Sequence, residues 1–399
     1  MISLKQAHQR IQSRSLTNYI YPKKVENVLI YEKLTPYAYH KSRQRKLNPH
    51  NFGNLPLLMR ANMEHDANMR IVNKTLEEDC GIKSENIRHI KTRQEGYDLM
   101  KKRRNDPLFE PFKPDLIIAT GGDGTFLRAS HLLDDKLGTL ETPILGINTN
   151  PGMSVGRLCI NTNGLKLHDI VKMAVDKDAG DSLKVLKRSR IKVTMSSRTR
   201  SDFYTHDFHH DNIPLDAPKH SIRKSSSLDD PEIYNTMNLP VMALNDVFIG
   251  ERAASMVTNL EINYRYPNNN DWVQHHSQKN SGLIICTGTG STGWSKSSNY
   301  ICPETMKTVI EQLKLECNCR DDAESLKNID INKFADQVNA TRTVFSPEDN
   351  ILGVTFREPI NSKISAGNDG NFINVSTLKA KSKLTYWKYL GFYMIGHKE

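Results

Sequence analysis

In the first half of the chain, short apolar runs alternate with longer segments whose apolar residues recur every three to four positions. Leu116-Ile117-Ile118-Ala119, within Pro114 to Thr120, is short and apolar enough to be a strand buried on both faces. Thr142 to Asn148 reads as another buried strand, and Val25 to Lys33 and Asn86 to Lys91 as two more. Asn62 to Cys80 reads as an amphipathic helix with Met63, Ala67, Ile71 and Leu76 inward and Gly81 as its C-cap. Gln94 to Arg103 and Leu165 to Val175 are further helices, and the polar, basic Thr35 to Leu55 reads as a loop. Strands alternating with helices predict a parallel α/β sheet, with ligands at the C-terminal ends of its strands.

The texture changes after Gly164. Leu183 to Ser196 alternates like an exposed strand, and Ser197 to Asn235 has almost no apolar periodicity and reads as a long insertion. Strand patterns resume at Val241 to Ile249, Val257 to Tyr264, Leu283 to Cys286 and Ile351 to Glu358, with a helix over Ser295 to Leu315. The expected layout is an α/β domain over 25–163 and a β-rich domain over 164–360 carrying the insertion 197–235. A tail over 361–399 follows, whose closing Lys-, Tyr- and Trp-rich stretch matches no expected element.

Length and charge refine this layout. A chain of 399 residues suits two domains, and no apolar run approaches the ~20 residues that span a bilayer. The net charge of +10 is concentrated: Met1 to His50 hold ten Lys/Arg against two acids. The near-neutral remainder argues against a nucleic-acid surface. Met1 to Lys24 contains no acid, and Leu4, Ala7 and Ile11 share a helical face. That is the description of a mitochondrial transit peptide, with a disordered basic tail as the alternative. The six cysteines are scattered without a C-x-x-C pair, as suits free thiols in a reducing compartment.

Three constellations carry chemistry. In Asp115 to Ser130 a strand runs into Gly121-Gly122-Asp123-Gly124-Thr125 and then into a helical pattern. This geometry presents backbone N–H groups to a phosphate, and glycines let it approach closely. Thr125 can cap the helix or bind phosphate. Asp123 repels an anion unless it has a task. It can hold Mg²⁺ on the phosphates, take the proton of a hydroxyl nucleophile, or simply bond its own turn. The second loop, Thr287-Gly288-Thr289-Gly290-Ser291-Thr292-Gly293-Trp294, follows a buried strand and suits a nucleotide's phosphates or ribose. Trp294 can pack on adenine or anchor a helix. In the third, Asn245 and Asp246 put an amide and a carboxylate inside an apolar strand, where ribose hydroxyls or a neighbouring strand must satisfy them. His206, His209, His210 and Asp211 lack a framework for a metal, and no metal-ligand set is assigned.

In this order the constellations resemble the NAD kinase family. The resemblance rests on ATGGDGT at Ala119 to Thr125, GINTNPG at Gly146 to Gly152, ALNDVFIGE at Ala243 to Glu251 and CTGTGSTGW at Cys286 to Trp294. The last two look most like the mitochondrial members of animals. The resemblance implies a Rossmann/phosphofructokinase-like α/β domain followed by a β-rich domain, with substrate between them. It implies ATP-dependent phosphorylation of the 2′-hydroxyl of the adenosine ribose of NAD, with Mg²⁺ or another divalent metal, by a homodimer in the mitochondrial matrix. Asp123 then matches the catalytic aspartate. Gly121, Gly122, Gly124 and Thr125 cradle phosphates, and Asn148 lines the same edge. Asn245 and Asp246 match an Asn-Glu pair on ribose hydroxyls, and Thr287, Gly288, Thr289, Gly290, Ser291 and Thr292 match the adenosine loop. The implied partners are NAD and ATP, with neither nucleic acid nor membrane. Gly-Gly-Asp-Gly is shared with lipid kinases, which are the nearest rival, and a nucleotide sensor without turnover is the non-enzyme alternative.

Overall fold

The computed structural model describes residues 24–42, 55–101, 106, 108–160, 164–176, 185–197, 235–239, 241–251, 256–265, 271, 273–316 and 330–360. It also describes the backbone of 372–375, 377–382 and 390–397. The described residues divide into two compact units, 24–185 and 186–397.

In the N-terminal unit, β1 (Val28–Glu32), β2 (Ile87–Ile90), β3 (Leu116–Thr120) and β4 (Ile144–Ile147) form one parallel sheet in the order β2-β1-β3-β4. The most uniformly apolar runs occupy the middle: every residue of β3 and the first four of β1 are buried. Edge strand β2 buries only its two end residues, Ile87 and Ile90, and leaves Arg88 and His89 between them exposed. The helices are α1 (Pro36–Ser42), α2 (Leu55–Lys74), α3 (Arg93–Met100), α4 (Asp123–Ser130) and α5 (Leu167–Val175).

Two expectations need correction here. Part of the expected loop is α1, which Thr35 caps: its Oγ1 accepts from Ala38 N–H at 3.2 Å, and Pro36 holds the first helical position. Helix α2 begins at Leu55 and buries His65, Met69, Val72 and, in the π-helical turn that follows, Leu76. Met63, at 68% exposure, and Ile71, at 42%, face outward instead. An apolar stripe had no place for His65, yet its Nδ1 lies 2.9 Å from Thr149 Oγ1, so the ring is buried without losing a partner. Gly81 does end the segment, at φ +67°, where Ile82 N–H bonds back to Leu76 O at 2.9 Å.

The C-terminal unit holds two antiparallel sheets. One has the order β6-β5-β14-β13-β8-β9, built from β5 (Arg190–Ser197), β6 (Asn235–Asn238), β8 (Thr258–Arg265), β9 (Val273–Asn280), β13 (Thr377–Ser382) and β14 (Leu390–His397). The other, β12-β11-β10-β7, is built from β7 (Asp246–Ile249), β10 (Leu283–Cys286), β11 (Leu352–Phe356) and β12 (Phe372–Val375). Ile191, Val193, Leu260, Ile262 and Tyr264 from the first sheet form one core with Ile249, Leu283, Ile285, Leu352, Val354 and Phe356 from the second. β5 is thus interior, paired on both sides with Ile191 fully buried, and not the exposed strand its alternation suggested. β13 and β14, from the closing stretch that matched no expected element, complete the six-stranded sheet.

The helix expected over Ser295 to Leu315 is two, α6 (Trp294–Ser298) and α7 (Pro303–Glu316), because Pro303 cannot continue a helix from its N-terminal side. α8 (Ile331–Thr343), capped by Asp330, packs beside them and was not expected. Residues 1–23 of the expected transit peptide and most of the insertion (198–234, with its histidines) lie outside the described residues.

Candidate nucleotide site

The C-terminal edge of the parallel sheet gathers the polar turns of the N-terminal unit. β3 ends in Gly121-Gly122, and Gly121 N–H bonds to Ile147 O at 2.8 Å, tying the turn to β4. Gly122 is the N-cap of α4 and Asp123 its first residue, so Asp123 sits in the helix rather than in the turn. Thr125 is not the cap. Its side chain is buried against the turn, where a Cβ on Gly121 would fall 2.3 Å from Thr125 Oγ1. Thr125 and Phe126 N–H both bond to Gly122 O, whereas the N–H groups of Gly122, Asp123 and Gly124 have no protein acceptor among the described residues. Three open donors at a helix N-terminus suit an anion.

Asp123 is held from outside its own helix. Its Oδ1 accepts from Leu158 N–H at 2.6 Å, while Oδ2 has no donor among the described residues. The next residue, Cys159, donates its thiol to Gly121 O at 3.3 Å. Burial, reinforced by the Asp123 charge, pushes that thiol up to about 12. Ser154 stands on the other side, with its Oγ 2.8 Å from where a Gly122 Cβ would be. Asn148 follows β4, and its amide shapes the turn: Nδ2 donates to Ser154 O at 2.8 Å and Oδ1 accepts from Asn150 N–H at 3.1 Å. Helix α2 braces the same turn through Asn68 Nδ2 on Thr149 O at 2.9 Å and Glu64 Oε2 on Asn150 Nδ2 at 3.0 Å. Leu158 and Ser154 were invisible in the sequence, since a backbone N–H and a lone serine carry no motif.

In the C-terminal unit, Asn245 directly precedes β7 and Asp246 opens it, paired in register with Cys286 at the end of β10. Both side chains are half-buried. Asn245 Oδ1 is buried without a hydrogen-bond partner, and burial raises the Asp246 carboxyl above its ordinary value. The loop 287–294 packs on this pair. Thr287 donates its N–H to Asn245 O at 2.9 Å and its hydroxyl to Leu244 O at 2.5 Å. Ser291 Oγ donates to Gly288 O at 2.7 Å, and Thr289 Oγ1 accepts from Arg188 Nη1 at 3.1 Å. Thr287, Thr289 and Ser291 are all buried, so their side chains shape the loop, while Thr292 and Gly293 are exposed. Glycine is required by close approach: a Cβ would stand 1.9 Å from Ser346 O at Gly288 and 2.1 Å from Asn245 O at Gly290. Trp294 opens α6 with its ring 5.3 Å from that of Phe248, and both rings are partly exposed.

No group of three or more His, Cys, Asp and Glu among the described residues could hold a metal ion, and no described helix is long and apolar enough to cross a membrane. Magnesium asks for less, since one or two carboxylates with substrate phosphates suffice. Asp123 is the carboxylate at the open donors.

Comparison with known proteins adds a likeness over part of the chain. Residues 39–175 match the ATP-NAD kinase N-terminal domain. Human NAD kinase 2, mitochondrial, is 30% identical over 287 residues, 71% of this chain and 61% of that protein. A probable NADH kinase of rice is 27% identical over 230 residues, 57% of this chain and 59% of that protein. The chain thus spans about three fifths of the length of these relatives. The solved yeast NADH kinase complexed with NADH aligns at TM-score 0.47 and 14% identity over 94% of this chain and 81% of that one, a likeness too slight to carry weight.

Proposed function

We propose that this chain, whose residues 39–175 match the ATP-NAD kinase N-terminal domain, phosphorylates the 2′-hydroxyl of the adenosine ribose of NAD from ATP, giving NADP. One observation carries the reading: beside three open N–H donors, Asp123 is fixed through one oxygen by Leu158 and keeps the other free to accept. A ribose hydroxyl is a weak nucleophile. Asp123 Oδ2 orients it and takes its proton as the new bond to the γ-phosphorus forms and the bond to the β-phosphate oxygen breaks, releasing ADP. The N–H groups of Gly122, Asp123 and Gly124 hold phosphate oxygens. Asp123 also offers the carboxylate for a divalent ion, which would neutralise charge on the phosphates. Asn245 Oδ1, buried and unbonded, accepts from a ribose hydroxyl of the dinucleotide. Asp246, a half-buried carboxylate beside it, does the same. Thr287, Gly288, Thr289, Gly290 and Ser291 keep the backbone around the adenosine in place, Thr292 lies at its surface, and Asn148 shapes the phosphate edge.

On the same reading residues 1–24 are a mitochondrial transit peptide and the mature protein is a homodimer of the matrix. The mitochondrial names of relatives and the acid-free N-terminus support the location. The experiment is NADP formation by the full chain from NAD, ATP and Mg²⁺, beside Asp123→Asn. Loss of a general base lowers kcat by roughly 10²–10⁴ with nucleotide binding largely retained. Binding without turnover in the unmutated chain would refute the kinase reading.

A further inference from the structure

Lys33 has no part in the motifs, yet the fold sets it beside the glycine turn. It follows β1 at the sheet's C-terminal edge, where the register Glu32↔Thr120 places it next to Gly121. Its N–H bonds to Thr120 O at 3.0 Å, and a Cβ on Gly121 would stand 2.9 Å from Lys33 Cβ. The surrounding charges leave this cation unclaimed. Its neighbour Glu32 is engaged by His89 at 2.5 Å and Lys91 at 3.5 Å. Burial alone would raise the Glu32 carboxyl, but His89 and Lys91 outweigh it and hold it below the ordinary range. Lys33 is half-buried and has no ion-pair partner among the described residues.

A half-buried lysine with no ion-pair partner among the described residues, its Cβ set beside a turn with three open N–H donors, fits an anion shared between them. Resting on the kinase reading, we infer that Lys33 binds the terminal phosphates of the donor nucleotide at the Gly121–Gly124 turn. A flexible stem with a point charge suits this task, because a transferring phosphoryl group needs charge neutralised along its path more than a fixed fork.

The test compares Lys33→Met, Lys33→Gln and Lys33→Arg in the full chain. Met and Gln raise KM for ATP by about 10- to 100-fold, as expected for a lost charged contact, and Arg recovers part. KM for NAD and the melting temperature stay within error. Calorimetry supplies a second readout that needs no turnover: the preference for ATP over adenosine shrinks in Lys33→Met. If unmutated chain binds ATP but makes no NADP, the kinase reading fails while this arm still judges Lys33. The inference is overturned if KM for ATP and the ATP-to-adenosine preference are unchanged, or if KM for NAD rises instead, which would assign the cation to the dinucleotide.

Discussion

Replacing Gly290 by alanine tests how the second loop is held. The new methyl would lie 2.1 Å from Asn245 O, where carbon–oxygen contacts ordinarily stop at about 3.3 Å. The atom it meets is backbone, already engaged by Thr287 N–H at 2.9 Å and by the Thr287 hydroxyl at 3.3 Å. Relief of the overlap must therefore move the Asn245 main chain or break its bonds to Thr287. Overpacking costs about 1–3 kcal/mol and a lost hydrogen bond about 1 more, so the loss is about 2–4 kcal/mol. For a domain of this size that lowers the melting temperature by about 4–16 °C. KM for NAD rises as well, since the Asn245 amide moves with its backbone. The companion variant is Gly124→Ala, where a Cβ meets nothing within 4 Å on an exposed helical residue. It melts at the same temperature or slightly higher, because alanine favours helix by about 1 kcal/mol. Circular dichroism on both proteins decides. A Gly290→Ala chain that melts with the unmutated one and keeps its KM for NAD would refute the packing argument.

Asn339→Ala should cost about 2–3 kcal/mol in chemical denaturation. Buried Asn339 exchanges two 2.9 Å bonds with Ile301 across the α6–α7 break, and unpaired buried amides are expensive; a loss under about 0.5 kcal/mol would deny the bracing role. Burial holds His65 below the ordinary histidine value, with Asp66, Glu32, Lys33 and Lys91 as weaker influences. The unfolded chain therefore binds a proton first, so His65 withdraws stability as pH falls below about 6.5. His65→Gln should flatten the melting temperature between pH 7.5 and 5.5, and an unaltered slope would count against it. Cys159, pushed up to about 12, and Cys286, pushed up to about 11, both chiefly by burial, should stay protonated and resist iodoacetamide at pH 8. Rapid labelling of either in a folded sample, read by mass spectrometry, would contradict their placement.

Local pattern was enough where one physical constraint acted alone. Leu283 to Cys286 is apolar throughout, preceded by Gly282 and followed by Thr287-Gly288, and it is β10 to the residue. Thr258 to Arg265 alternates in burial along its length, and the expected strand there is displaced by only one residue. Reading failed where a partner distant in sequence decided the outcome. His65 turns inward because Thr149 meets it, β5 is interior because β14 returns from the C-terminus, and the helix after Trp294 breaks because Pro303 outweighs an apolar period. Thr35-Pro36 did carry a readable helix start, overshadowed by the basic residues around it. At the site, both glycine turns and the Asn245–Asp246 pair were legible as motifs. Leu158 N–H, Ser154 and Lys33 were not, although Lys33 follows a strand of a parallel sheet, and every such position faces the ligand edge.

The two turns use glycine for opposite reasons, and this decides what each can contribute. At Gly122 to Gly124 the backbone donors stay open and Gly124 faces free space, so the main chain itself is available to an anion. At Gly288 and Gly290 the space is filled by Ser346 and Asn245 backbone, and the buried hydroxyls around them bond to protein. A loop so satisfied has few groups left for a nucleotide, whatever its density of threonine and serine. Its effect on the ligand passes through Asn245, whose carbonyl it clamps and whose side-chain oxygen is left buried and unbonded. Chemistry at the first turn is therefore sensitive to charge, at Asp123 and Lys33. At the second turn it is sensitive to volume, where one methyl group is enough to displace Asn245, the residue proposed to read the ribose.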